Sequence, residues 1–335
     1  MWFPLTLAII LAVHGYRKGS LSASGALAAF VFGFATMHNP SAAFGIMLIV
    51  FYLTGSRATK VKADIKSTLE LEAKHGSSSP SPQSAKHKSA IGGQRDSWQV
   101  ICNALNGTIG ALLFAHLHSS ARAYSIAPHW INNLIGVTSE PSFCLLDSRK
   151  SSSALLEDPR TWILFSLGHF SCCMGDTLAS ELGILAKGQP RLVTTWKQVP
   201  RGTNGGVSAL GTLVSLLGGA LIGVVCIASL YFLPPSQTGD SLCSPSVSSA
   251  VIYLSVGALS GLGGSMVDSL LGATVQKSWY NRELGKILIG RRPSSSTEGQ
   301  WQVITGHDML SNSAVNFISS AVTACAAAGL GSLLF

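Results

Sequence analysis

Eight apolar stretches divide this 335-residue chain. A helix needs about 20 mainly apolar residues to cross the hydrocarbon core of a bilayer. Only 11% of the residues are charged, about half the fraction found in soluble domains, which excludes a soluble enzyme and also a disordered chain. The sequence predicts an all-α, polytopic membrane protein that forms one integral membrane domain, 1–335. The predicted spans are 2–16, 20–37, 40–56, 98–118, 160–185, 205–233, 247–275 and 303–334.

Most of the 23 Lys and Arg residues lie in alternate loops. The positive-inside rule therefore predicts that loops 57–97, 187–204 and 276–302 are cytoplasmic and that both termini lie on the opposite side. The net charge of +8 reflects this bias, and no nucleic-acid partner is expected. Loop 57–97 contains Ser- and Pro-rich sequence, which is typical of a flexible segment. Cys144 and Cys243 fall in non-cytoplasmic loops, where a disulfide between them is possible in an oxidising lumen.

Four acidic residues lie inside predicted spans, namely Asp176, Glu181, Asp268 and Asp308. Ionisable residues inside a membrane usually face a bundle interior or a water-filled cavity and have a function. Because no Lys or Arg accompanies them deep in the spans, we expect them to bind a cation. Oxygen ligands suit Mg²⁺, and its predicted ligands are Asp176, Glu181 and Asp268. A proton relay in a transporter is the alternative.

Hydroxyl and amide side chains accompany these acids. The predicted polar shell consists of Asn103, Asn106, Thr177, Ser180, Ser269, Asn312 and Asn316. Asp308, Asn312 and Asn316 are spaced four residues apart, which places them on one face of a helix. Glycines flank segment 175–183, where we expect a break or an unwound turn in the helix. Interhelical hydrogen bonding and close packing of small residues are alternative explanations for the amides and the glycines.

Segment 190–208 combines glycines with basic residues immediately before a predicted helix. Gly-rich backbone at a helix N-terminus binds anions, although the P-loop sequence GxxxxGK[ST] is absent here. The predicted phosphate- or nucleotide-binding residues are Lys197, Arg201, Gly202, Thr203, Asn204, Gly205 and Gly206. A basic flank with a turn is the alternative. A polyphosphate bound here and bridged by Mg²⁺ to the acids would form a site for phosphoryl transfer.

Five segments, at 55–60, 98–103, 175–183, 200–207 and 267–276, resemble the transmembrane protein 19 family, also known as domain-of-unknown-function family 92. The most specific are Asp-Thr-Leu-Ala-Ser-Glu, starting at Asp176, and Asp-Ser-Leu-Leu-Gly-Ala, starting at Asp268. A plant branch of this family includes the phytyl-phosphate kinase of tocopherol synthesis. The resemblance therefore implies an isoprenyl-phosphate kinase that uses a nucleoside triphosphate. A broader similarity to CTP-dependent polyprenol kinases points to CTP by analogy.

The leading hypothesis is a Mg²⁺-dependent membrane kinase that acts on an isoprenyl or polyprenyl monophosphate at the cytoplasmic face. Its predicted catalytic residues are Asp176, Glu181, Asp268 and Asp308. A secondary transporter and a non-catalytic membrane protein are the alternatives. An Arg- and Ser-rich lead is missing before the first span, which favours the endoplasmic reticulum or another endomembrane over a plastid. The nucleotide, the lipid chain length and the oligomeric state stay open.

Overall fold

The computed structural model describes residues 2–61, 94–118, 145–147, 155–233, 245–289 and 300–335. Cys144, Cys243 and most of loop 57–97 lie outside the described residues, where the predicted disulfide and flexible loop stay predictions. Within the described residues the chain is mostly helical and contains eight α-helices. They are α1 (Trp2–Arg17), α2 (Ala23–Met37), α3 (Ala42–Ala58), α4 (Ser97–His118), α5 (Pro159–Gly183), α6 (Ala209–Phe232), α7 (Val247–Val275) and α8 (Asn312–Leu334).

Four of the described helices are long and apolar enough to cross a membrane, namely α4, α6, α7 and α8. Helices α2 and α3 are also apolar but shorter, with 15 and 17 residues. The helical membrane class predicted from the sequence is therefore confirmed. The number of helices that cross the bilayer stays a prediction.

The eighth predicted span, 303–334, starts too early. Residues Trp301–Thr305 form a β-strand instead, because this segment of aromatic and β-branched residues pairs with a neighbouring strand. Helix α8 begins only after Ser311, whose side chain caps it by accepting a hydrogen bond from the amide of Ala314 at 3.3 Å. Asp308 consequently lies in an exposed turn outside the helix, and its predicted position within a span is wrong.

Helix α5 lies at the centre of the bundle and packs against α3, α4, α6, α7 and α8. It is continuous through Gly175 to Gly183, so the predicted break in segment 175–183 is wrong. Gly175 is required for packing: a Cβ atom added there would lie 2.8 Å from the Gly261 carbonyl carbon in α7. The glycine thus permits the backbones of two helices to approach each other closely.

Helices α6 and α7 are in backbone contact through two GxxxG pairs, Gly219 with Gly223 and Gly257 with Gly261. A Cβ atom added to Gly257 would lie 2.8 Å from the carbonyl oxygen of Gly219 and 2.9 Å from the Cα atom of Gly223. Small residues at this spacing allow close packing of transmembrane helices. The contact fixes α6 relative to α7.

Two small antiparallel sheets, neither of which was predicted, lie in the loops that the charge pattern predicts to be cytoplasmic and extend into the starts of the predicted spans 205–233 and 303–334. Strand β1 (Arg191–Leu192) pairs with β2 (Gly206–Val207). Strand β3 (Ser278–Asn281) lies between β4 (Lys286–Ile289) and β5 (Trp301–Thr305). The backbone amide of Asn204 donates a hydrogen bond to the Ser278 hydroxyl at 3.2 Å, which joins the Gly-rich segment to β3.

Candidate functional site

A cavity of about 1000 Å³ lies at one end of the helix bundle. Its walls come from the C-terminal ends of α3, α5 and α7, from the N-terminal ends of α4, α6 and α8, from the turn between α1 and α2, and from the segment before α6. These ends adjoin the loops that the charge pattern predicts to be cytoplasmic. The described helices therefore alternate in direction as the sequence predicts, and they bring together residues that lie far apart in the chain.

Two carboxylates from neighbouring helices line this cavity. Asp176 of α5 and Asp268 of α7 lie close enough for their negative charges to repel each other. The Ser319 hydroxyl donates a hydrogen bond to Asp268 Oδ2 at 3.2 Å. The amide nitrogen of Asn316 donates to the same oxygen at 3.2 Å and to the carbonyl oxygen of Asn312 at 2.9 Å. Helix α8 thus orients the Asp268 carboxylate and leaves its second oxygen available to a ligand.

Glu181, the third predicted metal ligand, also lines the cavity but lies beside Arg95. Burial lowers the pKa of the Arg95 guanidinium, and the Glu181 carboxylate opposes that effect by stabilising the positive charge. The backbone of Arg95 donates to the Ser20 carbonyl at 3.1 Å and accepts from the Ser22 amide at 3.0 Å. Arg95 is therefore held in place at the cavity and is not part of a flexible loop.

Arg95 is a functional candidate that our sequence reasoning missed. A signal for it was present in Asp96 and Gln99, which form a reciprocal capping box at the start of α4. The Gln99 amide donates to Asp96 Oδ1 at 2.9 Å, and the Asp96 amide donates to Gln99 Oε1 at 3.3 Å. This spacing indicates where the preceding loop ends, so it places Arg95 just before the N-terminus of α4.

The three predicted metal ligands do not form one cluster, and among the described residues no group of three His, Cys, Asp or Glu side chains could hold a metal ion. The pair Asp176 and Asp268 still fits Mg²⁺, because this ion commonly takes only one or two carboxylates and completes its shell with water and substrate phosphates. A site of this kind would bind the metal together with a phosphorylated substrate.

The Gly-rich segment forms a further part of the cavity wall and packs against α7. Gly202 and Gly205 adopt positive φ angles of 88° and 76°, which are unfavourable for residues other than glycine. A Cβ atom added to Gly205 would lie 2.6 Å from the carbonyl oxygen of Ser269 in α7. The Thr203 hydroxyl donates to the Pro200 carbonyl at 2.7 Å and so stabilises the turn itself. Residues 201–206 all line the cavity.

Among the other predicted site residues, those that line the cavity are Asn103, Thr177, Ser180, Ser269, Asn312 and Asn316. Lys197, Asp308 and Asn106 are not among its lining residues. Lys197 and Asp308 are exposed at the surface. Asn106 is buried, where its amide donates to the Ser320 hydroxyl at 3.2 Å and to the Phe317 carbonyl at 3.3 Å. Asn106 therefore joins α4 to α8, as interhelical hydrogen bonding predicts.

Lys18 and Lys60 also line the cavity, and neither was among the predicted site residues. With Arg95 and Arg201 they surround the carboxylates with positive charge. In addition, Asn204 Nδ2 and Ser56 Oγ are buried polar atoms of lining residues that have no hydrogen-bond partner in the described part of the protein. Because a buried polar atom without a partner is costly, these two atoms are candidates to bind a polar ligand in the cavity.

Residues 6–324 match the protein family described as integral membrane protein DUF92. Protein PGR of Arabidopsis thaliana is 32% identical over 322 residues, which cover 96% of this chain and 92% of that protein. Protein VTE6, chloroplastic, also of Arabidopsis thaliana, is 24% identical over 272 residues, covering 80% of this chain and 61% of that protein. The uncharacterized membrane protein MJ0933 of Methanocaldococcus jannaschii is 33% identical over 117 residues, covering 35% of this chain and 42% of that protein.

No solved structure is significantly similar to this chain. The family match covers nearly all of the sequence, and it includes the helices and the Gly-rich segment that form the cavity. The chain therefore belongs to the DUF92 family of integral membrane proteins.

Proposed function

We propose that this protein is a membrane-bound kinase that transfers the terminal phosphate of a nucleoside triphosphate to an isoprenyl or polyprenyl monophosphate. The observation that carries the proposal is one cavity that is lined both by Asp176 and Asp268 and by the basic, Gly-rich segment 201–206. Phosphoryl transfer depends mainly on the positioning of phosphates and on the neutralisation of their charge. The resemblance to a family with a phytyl-phosphate kinase branch supports the same activity.

The donor phosphates would bind to the Gly-rich wall. Residues 202–206 immediately precede α6, where backbone amides and the positive end of the helix dipole favour an anion. Arg201 would neutralise phosphate charge from the same wall, and Asn204 Nδ2 would donate a hydrogen bond that it does not make within the described residues. Lys197 is exposed outside the cavity, so it has no part in this mechanism.

The reaction needs little proton transfer. An oxygen of the acceptor monophosphate attacks the terminal phosphorus of the donor, and the bond from that phosphorus to the bridging oxygen breaks. A nucleoside diphosphate leaves with the bond electrons, and the acceptor becomes a diphosphate. Because a phosphate monoester is largely dianionic at neutral pH, its attacking oxygen has no proton to lose. Asp176 and Asp268 would hold Mg²⁺, which would supply positive charge to neutralise the charge that develops on the phosphates.

Transfer of label from radioactive CTP, GTP or ATP to farnesyl monophosphate by the purified full-length protein tests this proposal. We expect Mg²⁺-dependent formation of farnesyl diphosphate and a loss of about 100-fold or more in Asp176→Asn and Asp268→Asn. Asp308→Asn is the matched control, since Asp308 lies in an exposed turn outside the cavity, and it should retain activity. Full activity in both cavity variants would contradict the assigned roles.

The test also separates an enzyme from a carrier. Cation flux into liposomes that depends on Asp176 and Asp268, without any transfer of phosphate, would replace the kinase proposal with a transporter. The nucleotide that supports the highest rate would identify the donor, for which CTP is our expectation. Activity at an endomembrane such as the endoplasmic reticulum is expected and can be measured in separated membrane fractions.

A further inference from the structure

A second, apolar cavity of about 80 Å³ lies between α1, α2, α3 and α4. Most of its lining is aliphatic or aromatic, including Leu11, Phe32 and Leu48. Polar groups occur mainly at one end, where the cavity shares Phe51, Arg95, Gln99 and Asn103 with the large polar cavity. The four shared residues show that the two cavities adjoin each other. We call the apolar cavity the α1–α4 groove.

We infer that the α1–α4 groove binds the hydrocarbon chain of a single-chain lipid monophosphate, and that Arg95 binds its phosphate. The inference rests on the proposed function, because it assigns a binding site to the acceptor of that reaction. A lipid phosphate has one charged end and one apolar end. The groove offers the same division: Arg95 carries the positive charge at the boundary, and the apolar lining extends away from it.

The residues that line the groove extend along most of α2. Gly25 lies at the level of Arg95, since an added Cβ atom would be 3.1 Å from the Arg95 carbonyl carbon. Gly25 and Met37 both belong to α2. Met37 is the last residue of this helix and lines the far part of the groove. The 12 residues that separate Gly25 from Met37 span roughly 18 Å. That distance is about the thickness of one leaflet of the hydrocarbon core.

The width of the groove favours one chain. A volume of about 80 Å³ can enclose only a short part of one chain, next to the phosphate, and not the paired acyl chains of a phospholipid. Arg95 has the geometry for a phosphate because its planar guanidinium donates several hydrogen bonds at once. Its neighbour Glu181 already balances part of its charge, so the guanidinium is stabilised before the lipid arrives.

The substitution Gly33→Leu tests the groove. Gly33 lines it, and an added Cβ atom would meet only Met37 Cε, at an ordinary contact distance of 3.8 Å. The larger side chain should therefore fill the groove without disturbing the fold. Gly329→Leu is the matched control, since Gly329 is also helical and has nothing within 4 Å of an added Cβ atom. Melting temperatures of both variants in detergent verify that they are folded.

A lipid monophosphate with a photoreactive diazirine in its farnesyl-like chain provides the binding readout. We expect labelling of peptides from α1 to α4, competition by unlabelled farnesyl monophosphate, and a decrease of about tenfold in Gly33→Leu but not in Gly329→Leu. Arg95→Gln should weaken labelling similarly, whereas Asp176→Asn should not. Competition by two-chain phosphatidate as strong as that by the single-chain lipid would contradict the inference. So would labelling spread over all lipid-facing helices without competition.

The kinase assay on the same samples keeps the two proposals distinguishable. Competed labelling of the groove without phosphoryl transfer would support the lipid site and contradict the kinase. Phosphoryl transfer with unchanged KM for farnesyl monophosphate in Gly33→Leu would support the kinase and contradict the groove. If both are correct, Gly33→Leu should raise that KM by about tenfold and leave the KM for the nucleotide unchanged.

Discussion

Ser319 of α8 donates a hydrogen bond to Asp268 of α7 at 3.2 Å. The bond crosses between two helices and holds one of the two adjacent carboxylates of the candidate site. Asp268 therefore depends on a residue that follows it by 51 positions in the chain. Groups that orient a metal-binding carboxylate generally affect its affinity for the metal.

Loss of the Ser319 hydroxyl should weaken magnesium binding. In Ser319→Ala we expect the Mg²⁺ concentration for half-maximal activity to rise by about tenfold, because the Asp268 carboxylate loses a hydrogen bond that orients it. Ser332→Ala is the control, since the Ser332 hydroxyl donates to the Gly329 carbonyl at 2.8 Å on the same helix and lies outside the cavity lining. Equal Mg²⁺ requirements in the two variants would contradict this role of Ser319.

Neutralising Glu181 should have a different effect from neutralising Asp268. Because Glu181 lies beside Arg95, Glu181→Gln should change the Mg²⁺ requirement by less than about threefold, whereas Asp268→Asn should abolish Mg²⁺-dependent activity. Titration of activity with Mg²⁺ compares the two variants. A strongly raised Mg²⁺ requirement in Glu181→Gln would restore Glu181 as a metal ligand.

Asp176→Asn should make the protein more stable while it inactivates it. The two adjacent carboxylates repel each other, so removal of one charge should raise the free energy of unfolding by about 0.5–2 kcal/mol. Thermal unfolding in detergent without Mg²⁺, followed by circular dichroism, measures the change. A lower melting temperature would indicate that Asp176 makes stabilising contacts that outweigh the repulsion.

Gly205→Ala should raise the KM for the nucleotide by about 10- to 100-fold. The residue has a φ angle of 76°, and an added Cβ atom would lie 2.6 Å from the Ser269 carbonyl oxygen, so the loop must move away from α7. Gly188→Ala is a control in the same connection, because nothing lies within 4 Å of an added Cβ atom there. Equal nucleotide KM values in both variants would contradict the phosphate-binding role of this wall.

Substitution of alanine for Gly261 and for Gly263 should change the stability of the protein in opposite directions. In Gly261→Ala the Cβ atom would lie 2.7 Å from the Gly219 Cα atom, and we expect a loss of about 1–3 kcal/mol in stability. Gly263 lies two residues further along α7 with nothing within 4 Å, so Gly263→Ala should be neutral or gain up to about 1 kcal/mol from better helix propensity. Unfolding of both variants in detergent tests the contact between α6 and α7.

The sequence predicted the helices well because apolar runs of sufficient length have few alternative structures. It also singled out Asp176 and Asp268, which line the cavity, because a carboxylate within an apolar run needs a polar environment; their catalytic role stays a prediction. The prediction for Asp308 failed because the apolar side chains of strand β5 extend the apparent span toward the N-terminus. Pairing with β3, which the sequence pattern does not reveal, decided the structure of that segment.

The electrostatic influence of Glu181 on Arg95 could not be read from composition. Arg95 belongs to a basic loop by its charge, but its position depends on hydrogen bonds to the backbone of residues 20 and 22, far away in the chain. Only the capping box at Asp96 hinted that the loop had ended. Charge counts predict on which side of the membrane a residue lies. Prediction of a site also requires knowledge of which helices are neighbours.

The glycine contact between α6 and α7 has a mechanical consequence. It joins the wall that carries segment 201–206 to the wall that carries Asp268, so these two parts should move as one rigid unit. Helix α1, in contrast, has its main contacts with α2 alone. Conformational motion should therefore take place on the α1–α2 side. A lipid could then enter from the bilayer without separating the groups that hold the phosphates.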